Sequence, residues 1–182
     1  LNASYTAIGK FFSLPLDEKL QSHSKTNSGE RGYVMSESAQ GQNLHKKDYK
    51  EFIHVGRTIT EPKLRRKLGY PSNIWTSAFN LQYPVMQFYQ DMDDLAVKIS
   101  DLIAESAGLN PAILRNLIQN GDHLLRAIHY PKNPPQSVEW AASHTDISFF
   151  TILPKASAEG LQVLTEDGKW QDVVIPQDCS II

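Results

Sequence analysis

Two neighbouring stretches decide the fold: LLRAIHYP at residues 124–131 and AASHTDISFFTIL at residues 141–153. Short apolar runs bounded by turn-forming residues are typical of β-strands, and the segment between these two stretches is rich in proline. The predicted strands from here to the end of the chain are residues 124–130, 147–153, 160–164, 170–175 and 179–182. The region from residue 122 onward is therefore predicted to be built from strands.

The region before residue 122 has mainly the pattern of helices. Between residues 80 and 107, apolar side chains recur at steps of three and one, which places them on one face of a helix. They are Val85, Phe88, Tyr89, Met92, Leu95, Ala96, Ile99, Leu102 and Ile103. Asn80 is a suitable cap for this helix, and Gly108 is a suitable stop. We expect the apolar face to pack on a sheet.

The other elements of this region are shorter. The predicted helices are residues 5–12, 13–20 and 110–118, the predicted strands are residues 32–35 and 49–55, and the predicted loops are residues 23–32 and 36–47. Helices first and strands later indicate an α+β fold, in which N-terminal helices pack on a β-sandwich or on a jelly-roll, cupin-like core. We expect two segments, residues 1–121 and 122–182.

Composition narrows the classes of partner. The chain has 182 residues, which suits one domain, and a net charge of -2, so no basic surface indicates a nucleic-acid or membrane partner. No apolar run approaches the roughly 18 residues of a membrane helix. A single cysteine, Cys179, cannot form an internal disulfide, which favours a reducing, cytoplasmic location. We therefore expect a small-molecule partner, and no pattern indicates an oligomeric state.

One pair of residues has the chemistry of a metal site. In extended chain, His144 and Asp146 lie two residues apart, and alternating side chains place both on one side, which we expect to face the interior of the sheets. An imidazole nitrogen and a carboxylate oxygen suit iron(II), which the two-histidine, one-carboxylate facial triad binds at three positions. By itself this spacing is common by chance, and it equally describes a surface histidine beside an aspartate that caps a strand.

The surrounding sequence favours the metal site. It resembles the isopenicillin-N-synthase-like family of non-haem iron(II), 2-oxoglutarate-dependent oxygenases. The resemblance covers nearly the whole chain, and several matches in the correct order are more specific than any one of them. The matching segments are residues 11–19, 31–34, 48–52, 124–131, 142–153, 159–164 and 168–173.

The resemblance implies an iron site that this chain completes only in part. His144 and Asp146 match the first two iron ligands of the family. Family members supply a third ligand, a distal His, and then an Arg-x-Ser pair that binds the far carboxylate of 2-oxoglutarate. No His or Arg follows Asp146, so we expect both features beyond Ile182, a jelly-roll core that is incomplete at its C-terminal end, and an inactive 182-residue chain.

The resemblance also implies residues that contact the cosubstrate and the substrate. Tyr130 matches an aromatic position beside 2-oxoglutarate, and Arg126 matches an arginine near the cosubstrate in some microbial relatives. Ile128 stands where plant members often have Asn. Tyr33 and Glu51 fall in segments that approach the substrate pocket in relatives.

Three of these residues also have a simpler interpretation. Arg126 is equally consistent with a surface arginine on a strand, and Tyr33 with a half-buried packing residue. Glu51 has Lys50 and Arg57 as nearby partners in the sequence, or it faces water.

The remaining histidines are not expected to bind a metal, and His129 is expected to be structural. Strand alternation places His129 on the face opposite Tyr130. The others have no metal-ligand spacing and are expected to face solvent: His23, His45, His54 and His123.

The family chemistry implied by the resemblance uses iron(II), 2-oxoglutarate and O2, and it forms succinate and CO2. The substrate is a small organic molecule, and hydroxylation, desaturation and ring closure all occur on this scaffold. Three alternatives remain open: an iron(II) oxidase of the same family that does not use 2-oxoglutarate, a catalytically degenerate jelly-roll binding protein, and a different metal enzyme on a cupin-like barrel.

Overall fold

Helices dominate the first part of the chain and strands the last part, which confirms the predicted α+β class. The computed structural model describes residues 1–23, 29–37 and 48–182. These residues form two compact units, Leu1–Ala142 and Ser143–Ile182. Most of the two predicted loops, together with His45, lies outside the described residues.

Unit 1 contains five helices and three strands among its described residues. They are α1 (Asn2–Phe12), α2 (Leu16–Leu20), β1 (Gly32–Met35), β2 (Glu51–Gly56), α3 (Pro62–Leu68), α4 (Gln82–Ser106), α5 (Pro111–Asn120) and β3 (Leu124–His129). The three strands form one antiparallel sheet in the order β1-β2-β3. Tyr33 pairs with Ile53, and Ile53 pairs with Ala127, so these three residues lie side by side across the sheet.

The core of unit 1 lies on one face of this sheet. Strand alternation directs Ile53 and Val55 to that face, where α1 and the start of α4 cover them. The buried cluster consists of Phe11, Phe12, Tyr33, Ile53, Val55, Leu81, Val85 and Tyr89. Burying a large apolar side chain is worth roughly 1.5–3 kcal/mol, so this cluster holds α1 and α4 on the sheet.

The long helix α4 confirms the helix that was predicted between residues 80 and 107. Only its N-terminal end packs on the buried cluster that covers the sheet. Val85 and Tyr89 belong to that cluster, and Ile99 is buried farther along the helix, whereas Leu102 is exposed. The other predicted apolar positions are half-buried: Phe88, Met92, Leu95, Ala96 and Ile103. The side chain of Asn80 accepts a 3.1 Å hydrogen bond from the backbone N–H of Tyr83, as a residue capping the helix start does.

Helix α3 was not predicted, because none of its side chains is buried and it therefore has no apolar stripe. Local signals alone define it. The side chain of Glu61 caps the backbone N–H groups of Lys63 and Leu64, and Pro62 occupies the first helical position. Gly69 ends the helix with a positive φ of 71°. A prediction based on caps instead of periodicity would have found this helix.

Unit 2 contains four short strands, which pair in two separate sheets. They are β4 (Leu153–Pro154), β5 (Gln162–Leu164), β6 (Trp170–Asp172) and β7 (Ser180–Ile181). β4 pairs with β7, and β5 pairs with β6, both antiparallel. Thr165 and Lys169 close the β5–β6 hairpin, because the backbone N–H of Thr165 donates to the Lys169 carbonyl at 2.9 Å.

The predicted strand at residues 147–153 is wrong for most of its length. Only Leu153 forms ladder pairs, and Ile147 and Phe149 are exposed. An apolar run becomes a strand only where a neighbouring strand accepts its hydrogen bonds, and β7 reaches only the end of this run. The described strands therefore form one three-stranded and two two-stranded sheets, and a jelly-roll core stays a proposal.

The strand β3 lies after the expected division at residue 121, but it pairs with β2 inside unit 1. The division into residues 1–121 and 122–182 therefore stays a prediction about family segments.

Among the described residues, no helix is both long enough and apolar enough to cross a membrane.

Candidate functional site

His144 and Asp146 lie next to each other in unit 2, as predicted. Nε2 of His144 lies 3.7 Å from Oδ1 of Asp146. Their closeness follows from extended chain, where residues two apart share a side. Their side chains are 63% and 53% exposed, however, and the segment that holds them forms no strand. The expectation that both would face the interior of the sheets is therefore wrong for this chain, since no described strand covers them.

Thr151 contacts the second oxygen of the Asp146 carboxylate. Its hydroxyl donates a 2.5 Å hydrogen bond to Oδ2, whereas Oδ1 is the oxygen near His144. A hydrogen bond of this kind fixes the orientation of a carboxylate and leaves the other oxygen for a metal ion. The sequence analysis missed this role, because a Thr five residues after an Asp has no recognisable spacing.

The donor atoms of this pair fit two positions of an iron(II) site. Two neighbouring ligand atoms, each about 2.1 Å from a metal at a right angle, lie about 3 Å apart. The observed 3.7 Å needs only a small side-chain rotation to reach that spacing. Among residues 1–23, 29–37 and 48–182, no group of three or more His, Cys, Asp or Glu side chains is arranged to hold a metal.

Arg126 lies on β3 in unit 1, and its guanidinium is held from two sides. Its Nε donates a 2.6 Å hydrogen bond to Nε2 of His54, its cross-strand neighbour on β2. Its Cζ lies 5.1 Å from the centre of the Phe52 ring, a cation–π contact. His54 was expected to face solvent, but it is buried, with the Gly29 carbonyl against one ring nitrogen and Arg126 against the other.

Tyr130 directly follows β3, and its ring lies beside that of Trp140. The ring centres are 6.5 Å apart, and the Trp140 indole N–H donates to the carbonyl of Pro131 at 2.9 Å. The pKa of Tyr130 is raised by burial and, to a lesser degree, by the charge of Asp48. The phenol therefore stays protonated and able to donate a hydrogen bond throughout the neutral range.

Tyr33 and Glu51 belong to a buried polar cluster in unit 1. Glu51 is 4% exposed, and its carboxylate accepts three hydrogen bonds. Oε2 accepts from the Lys19 ammonium at 2.7 Å and from the Tyr33 hydroxyl at 2.5 Å, and Oε1 bonds Nδ1 of His129 at 2.7 Å. The His129 ring also stacks on Phe12, with ring centres 5.2 Å apart. A substrate role for Tyr33 and Glu51 stays a prediction.

These hydrogen bonds set the protonation state of the cluster. Burial acts to raise the pKa of Glu51, but the bonds from Lys19, Tyr33 and His129 outweigh it and lower that pKa below its ordinary value. Burial raises the pKa of Tyr33, and so does its bond to the Glu51 carboxylate. Glu51 is therefore ionised and Tyr33 neutral at pH 7.

The neighbours in the sequence that could have paired with Glu51 bind other residues. Lys50 pairs with Asp48 at 2.8 Å, and Arg57 pairs with Asp93 at 2.9 Å. Strand alternation explains the first case, since Lys50 and Glu51 leave the chain on opposite sides. The structural role expected for His129 stays a prediction, and its bond to Glu51 had no signal in the sequence.

Two protein-family models match the chain. The family described as non-haem dioxygenase in morphine synthesis, N-terminal, matches residues 1–78, and the 2OG-Fe(II) oxygenase superfamily matches residues 121–182. Relatives with curated descriptions include the 2-oxoglutarate-Fe(II) type oxidoreductase hxnY of Emericella nidulans. It is 27% identical over 179 residues, which cover 92% of this chain and 51% of the relative.

A second relative is the oxoglutarate-dependent flavonoid 7-O-demethylase 1 of Ocimum basilicum. It is 31% identical over 178 residues, which cover 95% of this chain and 44% of the relative. The chain thus spans about half the length of the curated relatives it matches.

The chain is also similar to solved structures. A 2OG-Fe(II) oxygenase family protein of Caulobacter crescentus superposes with a TM-score of 0.82 at 31% identity, over 98% of this chain and 58% of that chain. A full-length protein of Neurospora crassa, solved in complex with alpha-KG and 5-formyluracil, gives 0.70 at 26% identity, over 98% and 55%. The chain belongs to the 2OG-Fe(II) oxygenase family, with the N-terminal region typical of the isopenicillin-N-synthase-like members.

Proposed function

We propose that the protein is a non-haem iron(II), 2-oxoglutarate-dependent oxygenase that acts on a small organic molecule. The observation that carries the proposal is the His144–Asp146 pair, 3.7 Å apart, with Thr151 bound to the second carboxylate oxygen. This pair lies within the segment that matches the oxygenase superfamily. In the working enzyme, a jelly-roll core would enclose the pair, and a further histidine would supply the third ligand.

The proposal assigns each residue one task. Nε2 of His144 and Oδ1 of Asp146 bind the metal, and Thr151 keeps Oδ2 turned away from it. Arg126 offers its guanidinium to a carboxylate of 2-oxoglutarate through a planar pair of N–H groups. Tyr130 provides an aromatic wall and a protonated hydroxyl beside the cosubstrate.

Bound iron(II) would supply the activation of O2, coupled to oxidative decarboxylation of 2-oxoglutarate to succinate and CO2. The chain's own residues orient the metal and the cosubstrate. The Neurospora structure with alpha-KG supports the cosubstrate, since that relative holds it on the same fold. The compounds named for the relatives range from a flavonoid to a uracil derivative, so the proposal stops at a small organic molecule.

The test compares the 182-residue chain with the complete gene product. Decarboxylation of 2-oxoglutarate is measured with iron(II) and ascorbate, and metal affinity is measured by calorimetric titration with Mn(II). We expect the complete product to bind Mn(II) and to decarboxylate 2-oxoglutarate, while the chain alone binds weakly and does not turn over. His144→Ala and Asp146→Ala should each abolish both signals in the complete product.

Three outcomes would overturn the proposal. Equal activity of the chain and the complete product would mean that the site is completed within these 182 residues. Metal binding with consumption of O2 but without decarboxylation would favour the oxidase that does not use 2-oxoglutarate. Neither metal binding nor turnover in the complete product would favour the degenerate binding protein.

A further inference from the structure

His54 and Arg126 form a direct contact between two positively chargeable side chains. They are cross-strand neighbours on β2 and β3, and Nε of Arg126 lies 2.6 Å from Nε2 of His54. Such a contact is favourable only if the imidazole is neutral and its Nε2 carries a lone pair, because an arginine nitrogen is always a donor. The contact therefore requires one particular tautomer of His54.

The other side of the His54 ring supplies that tautomer. Nδ1 of His54 lies 2.6 Å from the backbone carbonyl of Gly29, which can only accept a hydrogen bond. Nδ1 is therefore the protonated nitrogen, and Nε2 is the acceptor. Burial lowers the pKa of His54, and so do the charges of Arg126 and Arg31, so the ring is neutral at pH 7. Geometry and charge thus agree on the acceptor role.

This contact leaves the functional end of Arg126 available. Nε is used by His54, Cζ lies 5.1 Å from the centre of the Phe52 ring, and neither terminal amino group has a hydrogen-bond partner among the described residues. A guanidinium held by a hydrogen bond at Nε and by a contact with a ring is restricted in its rotation, and a side chain that is already ordered loses less entropy when it binds a carboxylate.

We propose that His54 is a positioning residue for Arg126, which it holds with both terminal amino groups ready for a carboxylate of 2-oxoglutarate. This inference rests on the cosubstrate role proposed above for Arg126. Within the described parts of the chain, the ring nitrogens of His54 bond Arg126 and the Gly29 carbonyl, so its proposed effect on the cosubstrate passes through Arg126.

The experiment is a double-mutant cycle on the complete gene product, with the Kd for 2-oxoglutarate measured calorimetrically in the presence of Mn(II). His54→Leu removes the acceptor, and we expect it to weaken binding roughly tenfold, the effect of losing about one hydrogen bond. His54→Gln keeps an oxygen acceptor and should restore the Kd to within about threefold of the parent value. In an Arg126→Gln background, His54→Leu should have no further effect.

A matched control uses another arginine–histidine contact in unit 1. Nη2 of Arg57 lies 2.7 Å from Nε2 of His123, and the proposal gives this pair no cosubstrate role. His123→Gln should therefore leave the Kd for 2-oxoglutarate unchanged. A second measurement does not depend on affinity: nitrogen NMR of His54 should show a protonated Nδ1 and an unprotonated Nε2.

Each contrary result has its own meaning. If Arg126→Gln leaves the Kd unchanged, the cosubstrate role of Arg126 is wrong, and the positioning proposal falls with it. If Arg126→Gln weakens binding but His54→Leu does not, only the positioning proposal is wrong. An equal loss from His54→Leu in both backgrounds would show that His54 acts through the fold. If His54→Leu fails to fold, a Kd for His54→Gln as weak as that of Arg126→Gln would overturn the proposal.

Discussion

The carboxylate of Glu51 on β2 accepts a 2.7 Å hydrogen bond from the ammonium group of Lys19 on α2, and both side chains are buried. Moving two charges out of water is costly, and their attraction offsets this cost only when the remaining hydrogen bonds are made as well. Tyr33 and His129 make them for the carboxylate. The pair therefore ties the short helix α2 to the central strand of the sheet.

Breaking this pair should destabilise the protein strongly. We expect Glu51→Gln to lower the free energy of unfolding by about 3–5 kcal/mol, because it leaves the Lys19 charge buried without an anion. Urea denaturation at pH 7 measures the change. The control is Asp101→Asn, which breaks the exposed ion pair with Arg115, whose N–O distance is also 2.7 Å. Water screens that pair, so its loss should matter much less, and equal losses would contradict the prediction.

The Glu51 carboxylate should also make the free energy of unfolding depend on pH in acid. The pKa of Glu51 in the folded protein lies below its ordinary value of 4.5, so the folded state holds fewer protons than the unfolded state in this range. The stability that Glu51 contributes is fully present above pH 4.5 and is lost as the pH falls through the lowered folded pKa. Below pH 4.5, Glu51→Gln should reduce the slope of unfolding free energy against pH. Parallel curves for variant and parent would contradict this.

Gly32 is predicted to be intolerant of any side chain. It has a positive φ of 79°, and an added Cβ would lie 2.2 Å from the carbonyl oxygen of Ser22. That oxygen cannot move away freely, since it accepts a 2.9 Å hydrogen bond from the backbone N–H of Tyr33. Gly69 is the matched control, with a φ of 71° and open space around its added Cβ.

Both substitutions to alanine should incur the backbone cost of about 1–2 kcal/mol for a left-handed residue. Gly32→Ala should lose about 1–3 kcal/mol more, the typical penalty of overpacking. Thermal and urea unfolding of the two variants measure this difference. A Gly32→Ala protein as stable as Gly69→Ala would show that the approach of the Ser22 carbonyl is not a constraint.

Thr151 should influence metal affinity if the proposed site is correct. Thr151→Val removes the hydroxyl that bonds Oδ2 of Asp146 and keeps the shape of the side chain. Loss of such a supporting bond typically weakens metal binding about 10–100-fold, so Mn(II) titration of the complete gene product should detect it. Thr165→Val is the control, since its hydroxyl bonds Asp167 in a hairpin turn at the same 2.5 Å. Similar affinities for both variants would argue against a role of Thr151 at the metal.

Much of the fold was predictable because its causes are local. The 3.6-residue periodicity of α4 and the short apolar runs of β1, β2 and β3 depend on residues close in sequence, and all four elements are present. The proximity of His144 and Asp146 is also local, since a spacing of two in extended chain places both side chains together. The family resemblance likewise followed from ordered motifs and needed no tertiary contact.

Only the tertiary structure decided which distant residues meet. Glu51 bonds Lys19, 32 positions earlier, and His129, 78 positions later, instead of its sequence neighbours Lys50 and Arg57. Strand register sets such contacts: pairing of β2 with β3 places Glu51 opposite His129 and His54 opposite Arg126. Register depends on how whole elements pack, and no short window of sequence contains that information.

The same reason explains the strand that did not form. Residues 147–153 have the composition of a buried strand, but a strand exists only where a neighbour accepts its hydrogen bonds. In unit 2 only Leu153 finds that neighbour, at Ile181. Composition therefore determined what this segment is able to form, and the available pairing partners determined what it does form.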